Sequence, residues 1–154
     1  MKSKLLSWEN GPRTFAIVFE PDDEMIAGLK EFAKEQQLTG THFTAIGAFS
    51  QVTLGYFQRE NMEYKSIPVN EQVEVLSLVG NIAMKGEDYK VHAHVVLGRS
   101  NGSTLGGHIQ EATVWPTLEV ILSEEPAYLR RTIDETTGLA LIDLEASGGR
   151  QEDA

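Results

Sequence analysis

The chain has 154 residues, 41% hydrophobic and 23% charged, a size and composition that suit one domain able to bury a core without covalent staples. It contains no cysteine, which excludes disulfide scaffolds, thiol redox chemistry, iron–sulfur clusters and thiolate zinc sites. Thirteen basic residues against 23 acidic ones give a formal net charge of -10, the opposite of the basic patch by which nucleic-acid binders neutralise phosphate.

Residues 1–12 read as an N-terminal arm, 13–145 as the folded domain and 146–154 as a flexible tail. The opening MKSKLLSWENGPRTF has lysines but no apolar run long enough for a signal peptide. Nowhere do 18 consecutive apolar residues occur, so no membrane contact and a cytoplasmic location are expected.

RTFAIVFE, residues 13–20, is rich in β-formers and predicts a first strand. Pro21-Asp22-Asp23 then offers a helix start, because proline suits an early position and carboxylates suit the positive end of the helix dipole. Met25, Ile26, Leu29, Phe32 and Ala33 line one face of an amphipathic helix over about residues 22–37, ended by Leu38-Thr39-Gly40. It is the one strong helix signal.

The rest reads as strand. HFTAIGAF and QVTLGYFQ flank Ser50, with Gly47 and Ala48 allowing a bend. EYKSIPV carries Pro68 and suits an edge. VEVLSLVGNIAM is a longer strand, in which Val73, Val75 and Ser77 alternate with Glu74, Leu76 and Leu78. After the polar turn Lys85–Asp88 come YKVHAHVVLG, STLGGHIQEATVW, TLEVILSE and, near the end, LALIDL; YLRRTIDE fits either a strand or a helical turn. One helix and about eight short strands make an α+β protein, a largely antiparallel sheet covered by the helix, since short turns cannot join parallel neighbours.

Three of the four histidines, His92, His94 and His108, fall close together. His92 and His94 are two apart on a strand and so share a face, while His108 opens the next strand. Three neutral imidazoles converging from adjacent strands form a ligand set for a divalent metal, zinc first, with iron or nickel also suited. Convergence depends on the hairpin between them. A strict two-residue turn at Asn101-Gly102 would pair His94 with Ile109 and send His108 to the opposite face. A three-residue turn, or a bulge at Gly106-Gly107, reverses that parity. Otherwise the three rings simply hydrogen-bond at a strand surface.

Other candidates are thinner. Glu111 and Glu119 could support the histidines or act as acid/base groups, though strand glutamates are commonly solvated. Arg99 beside Gly98 could bind an anion or merely solubilise a loop, and His42 reads as structural. Trp115-Pro116 fits a core or subunit contact. Arg130-Arg131, the longest basic cluster, is flanked by Glu124, Glu125, Asp134 and Glu135. The phosphate-binding and nucleophile-elbow motifs are absent.

HAHVVLG followed by GGHIQEATVWPTLEV resembles the signature of the plants-and-prokaryotes conserved (PPC) domain, an H-x-H strand, a turn, then G-G-H and a strand ending in E-V. TAIGAFS and VLSLVGNI resemble two further segments of that family, with Ala45 where glycine is frequent. The resemblance spans roughly Thr14 to Glu124. It implies a PPC-like α+β subunit assembling as a homotrimer, with the family histidines falling on His92, His94 and His108. It also implies a regulatory, DNA-associated role; the Arg-Gly-Arg-Pro AT-hook that accompanies the domain in plants is missing here. The alternative is a metal-dependent enzyme or small-ligand binder using the same histidines.

Overall fold

The computed structural model describes residues 1–8 and 11–149. Nine strands and one helix follow in the order β1 (Lys2–Ser7), β2 (Thr14–Phe19), α1 (Met25–Glu35), β3 (Gly40–Gln58), β4 (Glu63–Val69), β5 (Val73–Lys85), β6 (Asp88–Gly98), β7 (Thr104–Glu124), β8 (Ala127–Ile133) and β9 (Ala140–Gly149). The expected α+β class and its antiparallel character hold. Among the described residues every ladder is antiparallel except a single parallel bridge between Met84 of β5 and Arg130 of β8. The segment read as an arm carries β1, an outer strand paired to β2, and residues 146–149 of the expected tail belong to β9. Residues 150–154 of that tail lie outside the described residues.

Two strands are far longer than the sequence pattern indicates. The segments either side of Ser50 form one strand of 19 residues, β3, and those either side of Trp115-Pro116 form another of 21, β7. Their mutual ladder shifts register at Gly47/Phe49, Phe49/Gln51 and Thr53/Leu54, so the pair bends instead of breaking. Gly47, at φ 147, makes the bend possible: a Cβ there would sit 2.3 Å from the Thr117 carbonyl oxygen. Because β3 also pairs β5, β5 pairs β6 and β6 pairs β7, the pairings close into a circuit of four strands. β4 extends it from β3, and β2 with β1 extends it from β7.

The helix starts later than the Pro21-Asp22-Asp23 signal. Asp22 takes a left-handed φ of 69, and this segment is stitched to β7 through Asp22 N–H to the Val114 carbonyl and Val114 N–H to the Asp23 carbonyl, both 3.0 Å. Glu24 is the cap. Its carboxylate accepts from the N–H groups of Ile26 (3.2 Å) and Ala27 (2.6 Å), two of the donors a helix start leaves unpaired. The same side chain accepts from Ala112 N–H at 3.0 Å and so fixes the helix to β7. At the other end Gln37, at φ 55, turns the chain, with Leu38 N–H closing on the Ala33 carbonyl at 2.9 Å.

Met25, Leu29, Phe32 and Ala33 are buried as their spacing predicts, against β6 and β7. Phe32 meets Phe15 of β2 edge to face at 5.1 Å. In β5 the alternation breaks. A register shift at Val75/Ser77 leaves Val73, Val75 and Leu78 buried and turns Leu76 outward.

A candidate three-histidine metal centre

In β6, Ala93, Val95 and Leu97 are buried, so the residues between them must face out. Each fully buried valine or leucine contributes about 1.5–3 kcal/mol, so slipping the strand by one residue to bury imidazoles would cost several kcal/mol. The apolar half of β6 therefore sets the direction of His92 and His94. Likewise Ile109 is buried in β7, which sends its neighbour His108 to the outer face.

The hairpin resolves the parity question. Arg99 and Ser103 form the closing pair, and Gly102, at φ 80, donates to the Arg99 carbonyl, leaving Ser100, Asn101 and Gly102 as a three-residue loop. Asn101 Oδ1 holds it from inside, accepting from Ser103 N–H at 2.9 Å. The ladder runs without a bulge from Gly98↔Thr104 to His94↔His108, so Gly106-Gly107 is not the device that aligns the rings. His94 and His108 are direct cross-strand partners on one face, with His92 two residues away.

Each histidine offers a ring nitrogen, and the three lie within 4.8 Å of one another. His92 Nε2 and His94 Nε2 are 3.2 Å apart, and ring centroids stand 5.2 Å (His92–His94 and His92–His108) and 5.4 Å (His94–His108) apart. Nitrogens bound to one zinc at about 2.0–2.1 Å are at most about 4 Å apart, so the His92–His94 pair is already at ligand spacing and the other separations exceed it by less than about 1 Å. Burial, aided by the neighbouring imidazoles, pushes the His108 pKa down to about 4. Burial, then the Arg131 charge, lowers that of His92. Both rings are thus neutral at pH 7 with a lone pair to give. His108 Nδ1 is moreover buried with no hydrogen-bond partner, a cost of about 1–3 kcal/mol that a ligating role or an ordered water would remove. The donor set fits a divalent ion.

The surroundings are specific. Tyr64 of β4 lies against the His108 ring, centroids 5.0 Å apart. It can do so because the β3 residue paired with His108 is Gly55, where a Cβ would come within 2.7 Å of the Tyr64 ring. Asn81 of β5 is the cross-strand partner of His92, and its Oδ1 accepts from Arg131 Nη2 at 2.5 Å. His92 and His108 open onto a cleft of about 610 Å³ that Tyr64, Glu111 and Arg131 also line.

Of the other residues singled out in the sequence, Glu111 reaches this cleft and Glu119 does not; Glu119 sits far along β7, paired with Val18 and Ile46. Arg99 is engaged by Glu71 at 3.0 Å, and His42 Nδ1 meets Glu125 at 2.6 Å, a structural contact. Trp115 is exposed and not part of the core. Sequence reasoning missed Tyr64, Asn81 and Arg131. None belongs to the histidine motif, and Arg131 lay in the segment whose secondary structure the pattern left open.

A bent, largely antiparallel sheet with one covering helix and a half-buried histidine triad defines a small α+β domain with a ligand set on its outer face. The chain matches the Plants and Prokaryotes Conserved (PCC) domain, the family written PPC above, over residues 7–126, and it belongs to that family. Among solved structures it is similar to a PPC protein of Pyrococcus horikoshii, at TM-score 0.81 and 31% identity, covering 89% of this chain and 97% of that one. It is similar to a metal-containing protein of Archaeoglobus fulgidus, at TM-score 0.78 and 33% identity, covering 91% and 99%. A candidate DNA-binding protein of Bacteroides thetaiotaomicron matches at TM-score 0.84 and 26% identity, covering 93% and 98%. The bifunctional protein GlmU of a Synechococcus strain is 28% identical over 136 residues; this chain spans about a fifth of the length of that curated relative.

Proposed function

We propose that the protein holds a divalent metal ion on His92, His94 and His108 and presents it to a small ligand in the adjoining cleft. One observation carries the reading: three imidazole nitrogens from two paired strands lie within 4.8 Å of one another at the edge of a cleft of about 610 Å³. The metal-containing relative from Archaeoglobus fulgidus supports it. All-nitrogen ligation favours zinc, with iron or nickel next. The ion would supply Lewis-acid polarisation of a ligand oxygen. The chain's own residues hold the three rings, shield His108 with Tyr64 and leave the cleft open for entry.

Elemental analysis of purified protein is the direct test. Wild type is expected to carry up to about one zinc, iron or nickel ion per subunit, and His92→Ala and His108→Ala almost none. Equal, negligible metal in all three proteins would sink the proposal.

The homotrimer implied by the family resemblance belongs to the same proposal. Supporting it, Val79 of β5 and Ile121 of β7 flank Thr44 of β3 in one cross-strand row and are 53% and 48% exposed, and Ile46 nearby is 60% exposed. A regulatory role on DNA, carried over from the name of the Bacteroides thetaiotaomicron relative, is the second reading; the net charge of -10 weighs against it for this chain alone.

A further inference from the structure

Arg131 is 93% buried, since only 7% of its surface is exposed, and no carboxylate approaches it among the described residues. Its guanidinium donates through Nη1 to the Ala140 carbonyl at 2.8 Å and through Nη2 to Asn81 Oδ1 at 2.5 Å, while Nε is buried with no acceptor. Neutral oxygens satisfy some of its donors but leave its charge uncompensated. Burying a charge without a counter-charge is among the most unfavourable arrangements a fold can keep.

The charged residues lining the cleft around it are mostly of the same sign. Lys30, Lys85 and Lys90 line the cleft with Arg131, against one carboxylate, Glu111. None of the three lysines forms an ion pair among the described residues. Lys30 and Lys90 also border a second concavity that holds Glu31, Glu35, Glu87 and Asp88, so the excess of positive charge belongs to the cleft that Arg131 lines, where it runs against the net charge of -10. Arg13, by comparison, is also partly buried but is matched by Glu124 at 2.8 Å. Arg99 is likewise met by Glu71 at 3.0 Å; Arg131, the more deeply buried, has no acid among the described residues.

We infer that Arg131, supported by Lys30, Lys85 and Lys90, is a binding site for the oxyanion of a small molecule, a carboxylate or a phosphate, lying beside the histidine triad. The planar guanidinium suits both oxyanions, and the lysines supply long, mobile point charges around it. Adjacency to His92 and His108 means that a ligand held by its anionic end would present its remainder to the imidazoles. The site needs no metal for its own affinity, so it stands or falls separately from the metal-binding reading.

The test is calorimetric titration of metal-stripped protein with inorganic phosphate and, separately, with succinate, using chloride to control for ionic strength. Saturable binding of at least one oxyanion is expected, weakened roughly tenfold or more in Arg131→Met. Binding should persist in His108→Ala. Arg131→Met removes a lone buried charge but also the donors to the Ala140 carbonyl and Asn81 Oδ1, so circular dichroism first confirms that the variant is folded. If that variant does not fold, Lys90→Gln and Lys85→Gln, on the cleft wall, should each weaken binding several-fold without loss of structure. The inference is overturned if neither anion saturates, if the variants bind as well as wild type, or if stripping the metal abolishes binding. The choice between phosphate and succinate names the oxyanion class.

Discussion

At the scale of single residues, the structure assigns work to side chains that look ordinary in the sequence. Glu24 holds three backbone donors: two at the start of α1 and one from the buried residue Ala112. Glu24→Ala should destabilise the protein by about 2 kcal/mol, since it removes a cap and leaves a buried N–H without an acceptor. Urea unfolding checks this, and a change within about 0.5 kcal/mol would mean that water replaces the carboxylate. Gly80 of β5 is equally constrained. A Cβ there would lie 2.4 Å from the Phe43 ring and 2.7 Å from the His92 carbonyl oxygen. Gly80→Ala should cost about 1–3 kcal/mol and lower metal loading together with stability, because the strand bearing His92 has to move.

At the scale of elements, existence and type were legible, while length and parity were not. The helix could be read because its apolar positions recur on one face, and four of the five side chains so placed are buried while Ile26 is partly so. The start was misjudged because Asp22 and Asp23 bond to the backbone of β7, a partner distant in the chain. Strand continuity through Ser50 and through Trp115-Pro116 was hidden for a related reason. Residues that normally end strands are tolerated where a bulged, bent ladder absorbs them. The histidine motif showed that a triad could form, and the turn type decided that it does. Deleting Asn101 would force a two-residue loop and the opposite parity, placing His108 across the sheet from His94. The expected outcome is near-complete loss of bound metal with β-structure retained by circular dichroism; unchanged metal content would show that the strands re-register to rescue the site.

At the scale of the whole molecule, charge and exposed apolar surface set what the protein can meet. With a net charge of -10 and its cleft cations sunk in a concavity, the isolated chain should show no shift of any duplex in a low-salt gel assay. A shift that weakens steeply with salt would instead favour the DNA-associated reading. The outward apolar row on β5, β3 and β7 makes a separate prediction. If the proposed trimer uses this row, Val79→Glu should lower the mass seen in light scattering to that of a monomer while leaving the fold intact, because Val79 already faces solvent in the isolated chain. A mass identical to that of wild type would remove this row from any assembly contact.

The circuit through β3, β5, β6 and β7 joins residues far apart in the chain, yet all three imidazoles come from a single hairpin between residues 92 and 108. Such a hairpin can form on the microsecond scale, well before the distant ladders assemble. On the proposed metal-binding reading, an ion would then find its ligands before the domain is complete, as a nucleus on a nascent chain instead of a late addition to a finished one. Arg131 of β8 and the cleft residues Ala140 and Leu141 of β9 come from the last strands of the chain, so the cleft is complete only once these have closed on the hairpin.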